Sequence, residues 1–204
     1  MGTESSCKGL AQTMPTITTI LKTEDHYGIG SITCGPKVLS DALVFFPPNI
    51  FGTLQAIFDV PNTNRIMEHY KNGGTFDTIH NGDERYNDRQ YLLFENNQIK
   101  TFTGDKVINV YEKYNDNIIV LANTIGSNDY GDSLYNSLVK NYSNDLQDCI
   151  VKSLKENIHI GFDKRCYSKG ISSTTVYVAV YTKEGNPIYT KEIYSPDSEP
   201  ISQL

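Results

Sequence analysis

Tryptophan is absent from this 204-residue chain. No run of about twenty apolar residues occurs either, so no segment reads as a membrane-spanning helix. The four cysteines, Cys7, Cys34, Cys149 and Cys166, form no CxxC pair. That spacing argues against a zinc site and favours reduced thiols inside a cell. The first fifteen residues, MGTESSCKGLAQTMP, lack the charged start and apolar core of a secretory signal, and a cytoplasmic location is the expectation. Basic runs are missing as well, the longest being Lys164-Arg165. With a net charge of −6 and a pI near 5.2, nucleic acid is not an expected partner.

Phosphate-binding loops are also lacking. Gly28-Ile29-Gly30 is followed by Thr33 where a dinucleotide fingerprint needs its third glycine, and neither GxxxxGK[ST] nor GxSxG occurs. No cofactor is expected.

What the chain does have is a strong β-pattern. Val176, Val178 and Val180 alternate with Tyr177, Ala179 and Tyr181, the period of a strand. Glu184-Gly185-Asn186 then supplies a turn, and residues 188–194 run back as a partner strand. Both faces of the first strand are apolar, so a second layer or another molecule must cover the tyrosine side.

Upstream, residues 17–21 read as a short strand, and Gly28, Gly30, Gly35 and Pro36 read as turns around Ser31-Ile32-Thr33. Residues 42–46 and 50–60 form a hairpin around Pro47-Pro48-Asn49. Residues 61–70 read as a helix capped by Thr63 and ended by Asn72-Gly73-Gly74. Residues 91–94, 99–102, 107–111 and 118–122 read as a meander with Asn, Gly and Asp turns. Between 133 and 158, Tyr135, Leu138, Tyr142, Leu146, Cys149, Ile150 and Leu154 recur at threes and fours. That marks one long amphipathic helix, or two abutting near Ser143, capped by Asp132 or Ser133.

The expected fold is therefore α+β and β-rich. It comprises an antiparallel sheet or two-layer sandwich, one long amphipathic helix and a C-terminal β-hairpin. Residues 1–15 read as a flexible arm, 16–194 as a single domain and 195–204 as a polar tail.

Candidate sites are few. Asp77, Asn81, Gly82, Asp83 and Asp88 occupy calcium-loop positions one, five, six, seven and twelve. Ile79 stands where an oxygen ligand is needed, so a solvated loop is the expectation and no metal is assigned. His159, Asp163 and Cys166 lie close together in sequence, and a thiolate beside a base would be a nucleophile. Met1-Gly2-Thr3-Glu4-Ser5-Ser6 fits the acylation pattern at Gly2, with Cys7 as a second acceptor, and membrane contact is expected only through such acylation.

With no reaction motif, the reading leans away from an enzyme. The leading expectation is a self-associating structural protein, of the kind found in viral coats or occlusion bodies, in which Tyr177, Tyr181 and Tyr189 meet another copy. The alternative is a cytosolic binding module that captures a small ligand or a host protein between sheet and helix. A Cys/His enzyme comes third.

Overall fold

The computed structural model describes residues 16–35, 39–57 and 60–204. In chain order its strands are β1 (Ile17–Lys22), β2 (His26–Thr33), β3 (Leu43–Phe46), β4 (Ile50–Ala56), β5 (Arg89–Glu95) and β6 (Gln98–Thr103), then β7 (Tyr111–Tyr114), β8 (Ile118–Ala122), β9 (Thr175–Thr182) and β10 (Pro187–Tyr194). The helices are α1 (Val60–Lys71), α2 (Asn128–Asn141) and α3 (Leu146–Glu156). The strands form two antiparallel sheets, ordered β10-β9-β2-β1-β8-β7 and β3-β4-β5-β6. The fold is α+β and β-rich.

Three apolar clusters define the layers. Ile66 and Tyr70 of α1 pack on Leu54, Tyr91 and Leu93 of the smaller sheet. Leu134 and Leu138 of α2, with Leu146, Ile150 and Leu154 of α3, pack on Ile17, Leu21, Val176, Val178 and Val180 of the larger sheet. Between the sheets lie Ile20, Tyr27, Ile29, Phe51, Leu92, Phe94, Leu121 and Tyr177. The order is helix, sheet, sheet, helices. Central strands are covered on both faces, which is why β4, β5, β8 and β9 read as nearly continuous apolar runs.

Several local expectations are corrected. Residues 28–33 are not turns but most of β2, where Gly28 and Gly30 let α3 approach the sheet. A Cβ on Gly30 would lie 2.7 Å from Ile150 Cγ2, and one on Gly28 would lie 2.9 Å from Ile150 Cδ1. Of the two readings for residues 133–158, one long helix is replaced by the alternative of two, α2 and α3, separated at residues 142–145 around Ser143. Ser127, rather than Asp132 or Ser133, caps the first by accepting from Asp129 N at 3.2 Å, and Asp145 caps the second by accepting from Asp148 N at 2.9 Å. Thr63 lies inside α1 and donates to the Asp41 carbonyl at 3.2 Å, so it is not a cap. Residues 107–110 are irregular, and the chain changes sheets between β6 and β7 instead of continuing one meander. The C-terminal residues fold back, with Ile201 buried in the core beneath α3.

Candidate functional site

Strand alternation sorts the residues of β1 between two faces. Ile17 and Leu21 face the helices and Ile20 faces the second sheet, so Thr16 and Thr18 share the intersheet side with Ile20. Across β2 they meet Thr33 and Ser31, with oxygen–oxygen distances of 3.3 and 2.9 Å. The same count puts Gln55 two positions after Thr53 on β4, Gln90 two before Leu92 on β5, and Asn123 two after Leu121 beyond β8. The intersheet layer is thus apolar at one end and polar at the other.

The polar end is a buried amide network. Gln55 Nε2 donates to Gln90 Oε1 at 2.9 Å and to the Leu121 carbonyl at 3.1 Å. Asn123 Nδ2 donates to the same Gln90 oxygen at 2.9 Å. Gln90 Nε2 donates to Thr103 Oγ1 at 3.0 Å and to the Ala122 carbonyl at 3.3 Å. Among the described residues no donor reaches the buried Gln55 Oε1. Beside the network opens a pocket of about 230 Å³ lined by Ala56, Ile57, Val107, Ile108, Asn123 and Thr124, with Asp88 and Lys106 also on its wall. Ala56 (φ 73°) and Thr124 (φ 54°) hold left-handed backbone there. That is costly for a residue with a Cβ, above all a β-branched one, and such strain concentrates at functional sites.

Behind the pocket lies a charged cluster. The Asn123 amide donates to the Thr16 carbonyl at 2.8 Å, and the Lys164 amide to the Thr124 carbonyl at 3.0 Å, tying the pocket wall to β1 and to the 3-10 turn Lys164–Lys169. Thr16 Oγ1 donates to Asp163 Oδ2 at 2.6 Å. Arg165 Nη2 donates to the same carboxylate oxygen at 2.6 Å, to Thr16 Oγ1 at 2.6 Å and to Thr33 Oγ1 at 3.0 Å. The Cys34 amide also donates to Asp163 Oδ2, and the Arg165 amide and Nε donate to Oδ1 at 3.0 Å each. Thr16 and Asp163 are fully buried. A carboxylate so placed is tolerated because the guanidinium and these N–H groups satisfy it. The Cys34–Cys166 disulfide clamps β2 to the same turn.

This arrangement revises the sites expected from sequence. Cys166 is half of the disulfide, so it carries no thiolate, and the reduced-thiol expectation fails for Cys34 and Cys166. His159 stacks on Tyr130 at 4.5 Å rather than facing Cys166, and burial lowers its pKa. Asp163 is brought into a site, but with Thr16 and Arg165 as partners. Cys149 is a free buried thiol whose pKa burial pushes up to about 11, which leaves it inert. Asp83 binds Arg89 Nε at 2.6 Å and accepts from Tyr91 OH at 2.9 Å. Burial alone would raise its carboxyl pKa, yet the hydrogen bonds from Arg85, Arg89 and Tyr91 outweigh that and hold it below the usual value. Ile79 is a core residue, and among the described residues Asp77, Asn81, Asp83 and Asp88 belong to no metal-holding group. Tyr177 packs inside the protein, and Tyr181, partly buried, packs against the same cluster. Tyr181 meets Phe45 edge-on at 5.3 Å, and Tyr177 is 3% exposed in the intersheet core. Tyr189 packs, partly buried, on the helix-side core. Gly2 and Cys7 lie outside the described residues. Among the described residues no helix is long and apolar enough to cross a membrane.

Thr16, Gln55, Gln90, Asn123 and Arg165 were not singled out from sequence. For the first four the available signal is a polar residue continuing the intersheet alternation of an apolar strand; Arg165, in the 3-10 turn Lys164–Lys169, carries no such signal.

The sequence matches no protein-family model and no curated protein. Its fold is similar to the crystal structure of protein SPO2555 from Silicibacter pomeroyi, of family DUF1028. The TM-score is 0.71 at 16% identity, covering 93% of this chain and 86% of that one. At that identity the likeness shows the fold alone.

Proposed function

We propose that the polar end of the intersheet layer is a hydrolytic site for a small acyl substrate, with Thr16 as its nucleophile. The carrying observation is the Thr16 hydroxyl, which donates to Asp163 and accepts from Arg165, both at 2.6 Å. A hydroxyl is a weak nucleophile until a neighbouring base takes its proton. Asp163 Oδ2 is placed to take it as Oγ1 attacks the acyl carbon. Arg165 Nη2 then stabilises the negative charge that develops beside it. The leaving group receives the proton and departs, giving a threonyl ester. Water delivered from the pocket next to Asn123 hydrolyses that ester and restores the hydroxyl. Burial of Thr16 keeps bulk water from competing.

A second reading is capture of a small ligand without chemistry. The Asp163 carboxylate favours it, because its Oδ2 already accepts from Arg165 and the Cys34 amide as well as from Thr16. Either reading places the ligand between the two sheets rather than between sheet and helix. The Cys34–Cys166 disulfide favours an oxidising compartment over the cytoplasm for this activity.

Treatment with p-nitrophenyl acetate, followed by peptide mapping, separates the two. Hydrolysis predicts an acetyl group on Thr16 and release of nitrophenol that Thr16→Ala abolishes while circular dichroism stays native. Equal turnover by Thr16→Ala and the parent would remove Thr16 from the chemistry.

A further inference from the structure

The pocket at the polar end of the intersheet layer is itself walled mainly by apolar side chains. Ala56 and Ile57 border it where β4 ends, and Val107 and Ile108 border it from the segment between β6 and β7. Ile108 is 66% exposed, so a ligand reaches this wall from solvent without rearrangement. The wall is also fixed in advance. The Thr124 amide donates to the Ile108 carbonyl at 3.0 Å, the Lys106 amide to the Asn87 carbonyl at 3.0 Å, and Arg89 Nη1 to the Ile57 carbonyl at 2.6 Å. Asp88 and Lys106 pair with each other at 3.9 Å, so the two charges on the wall offset one another. No aromatic ring is among the described lining residues, so stacking selects no flat ligand there. The larger hollow of about 550 Å³, at the far end of β1, differs in kind. Lys22, Asn97, Gln98, Asn115 and Asp116 border it, and an aliphatic group gains less against such a wall.

We infer that the pocket beside Asn123 selects its substrate by a short aliphatic acyl chain. At roughly 30 Å³ for each water-sized group, about 230 Å³ holds about seven non-hydrogen atoms, a chain of about six carbons. Asn123 and Thr124 form the polar corner, and the Asn123 amide is bonded to the Thr16 carbonyl, so that corner is the one next to β1. That the chain belongs to an acyl group rests on the Thr16 reading. That it is aliphatic and short rests on the pocket wall alone.

Straight-chain primary amides from acetamide to octanamide, titrated into the ¹⁵N-labelled full chain, test the selection without any bond being broken. Binding should tighten about fourfold for each added methylene, the equivalent of about 0.8 kcal/mol, as far as hexanamide, and level off beyond it. The backbone resonances of Ile57, Val107, Ile108 and Thr124 should shift as it does. Ile108→Asp changes an exposed residue, should keep the parent's melting temperature, and should remove most of the rise with chain length. Thr16→Ala should keep the whole rise even though it loses acylation, so failure of the nucleophile reading is distinguishable from failure of this one. Affinity that does not change with chain length, no binding of any amide, shifts confined to the residues around Lys22, or a rise that survives Ile108→Asp would each overturn the assignment.

Discussion

Thr16 and Asp163 are 147 positions apart, yet their side chains are joined by a buried 2.6 Å hydrogen bond. The bond ties the start of the central strand β1 to the loop after α3. Around it, Arg165 and the Cys34 amide also donate to that carboxylate, and Arg165 donates in turn to Thr33 Oγ1. This cluster joins structure to proposed chemistry, and removing either partner should show in both.

Asp163→Ala leaves Arg165 and Thr16 without their anion. Breaking a buried ion pair from one side costs about 3–5 kcal/mol. Since Arg165 is 29% exposed, water recovers part of that, and the lower end is expected. Urea denaturation monitored by circular dichroism measures it. A loss below about 0.5 kcal/mol would mean the cluster contributes nothing to folding.

Two pH windows follow from titrating groups. The folded Asp83 pKa lies below its ordinary value. Its contribution is therefore present above the unfolded pKa and is lost as pH falls below about 4. His159 is also depressed, by burial. Here the unfolded chain takes up the proton first, so stability falls as pH drops below about 6.5. His159→Phe, which keeps an aromatic ring against Tyr130, should flatten the melting temperature between about pH 6.5 and 5. Asp83→Asn should leave that window unchanged and flatten only the acid one.

Gly30→Ala should be destabilising even though alanine suits a strand no worse than glycine does. The added methyl would sit 2.7 Å from Ile150 Cγ2 and 3.1 Å from Thr19 Cγ2. Overpacking of that kind costs about 1–3 kcal/mol. Combining it with Ile150→Ala should cost less than the sum of the two single changes, since the second makes room for the first. A double-mutant cycle showing strict additivity would place the two residues out of contact.

Tyr177→Ser tests the self-association reading. With Tyr177 in the intersheet core, loss of its ring should destabilise the fold by about 3–5 kcal/mol. The self-association reading instead predicts a folded chain of lower mass by light scattering.

Much of the secondary structure was legible because it is local. The period-two run specified β9, short apolar or β-branched runs between turn residues β1, β5 and β8, Pro47-Pro48-Asn49 the hairpin between β3 and β4, and Leu138, Leu146, Cys149 and Ile150 the buried helix faces. A dihedral preference or an i, i+4 spacing depends on near neighbours alone, so one sequence suffices. Gly28 and Gly30 misled for the opposite reason. Their turn signal is local, but their lack of a Cβ serves a helix more than a hundred residues downstream.

The sequence by itself determined which residues share a face of a strand or helix. Only the tertiary structure decided which face meets which. Alternation showed that the Tyr177 side needed cover, but not that β4 and β5 supply it from a second sheet. Thr16 begins an ordinary β-branched run, Asp163 and Arg165 flank a lysine in a polar loop, and Cys34 and Cys166 are 132 positions apart. Their meeting depends on strand order, which reflects the burial of whole surfaces against one another and leaves no periodic trace in any single segment.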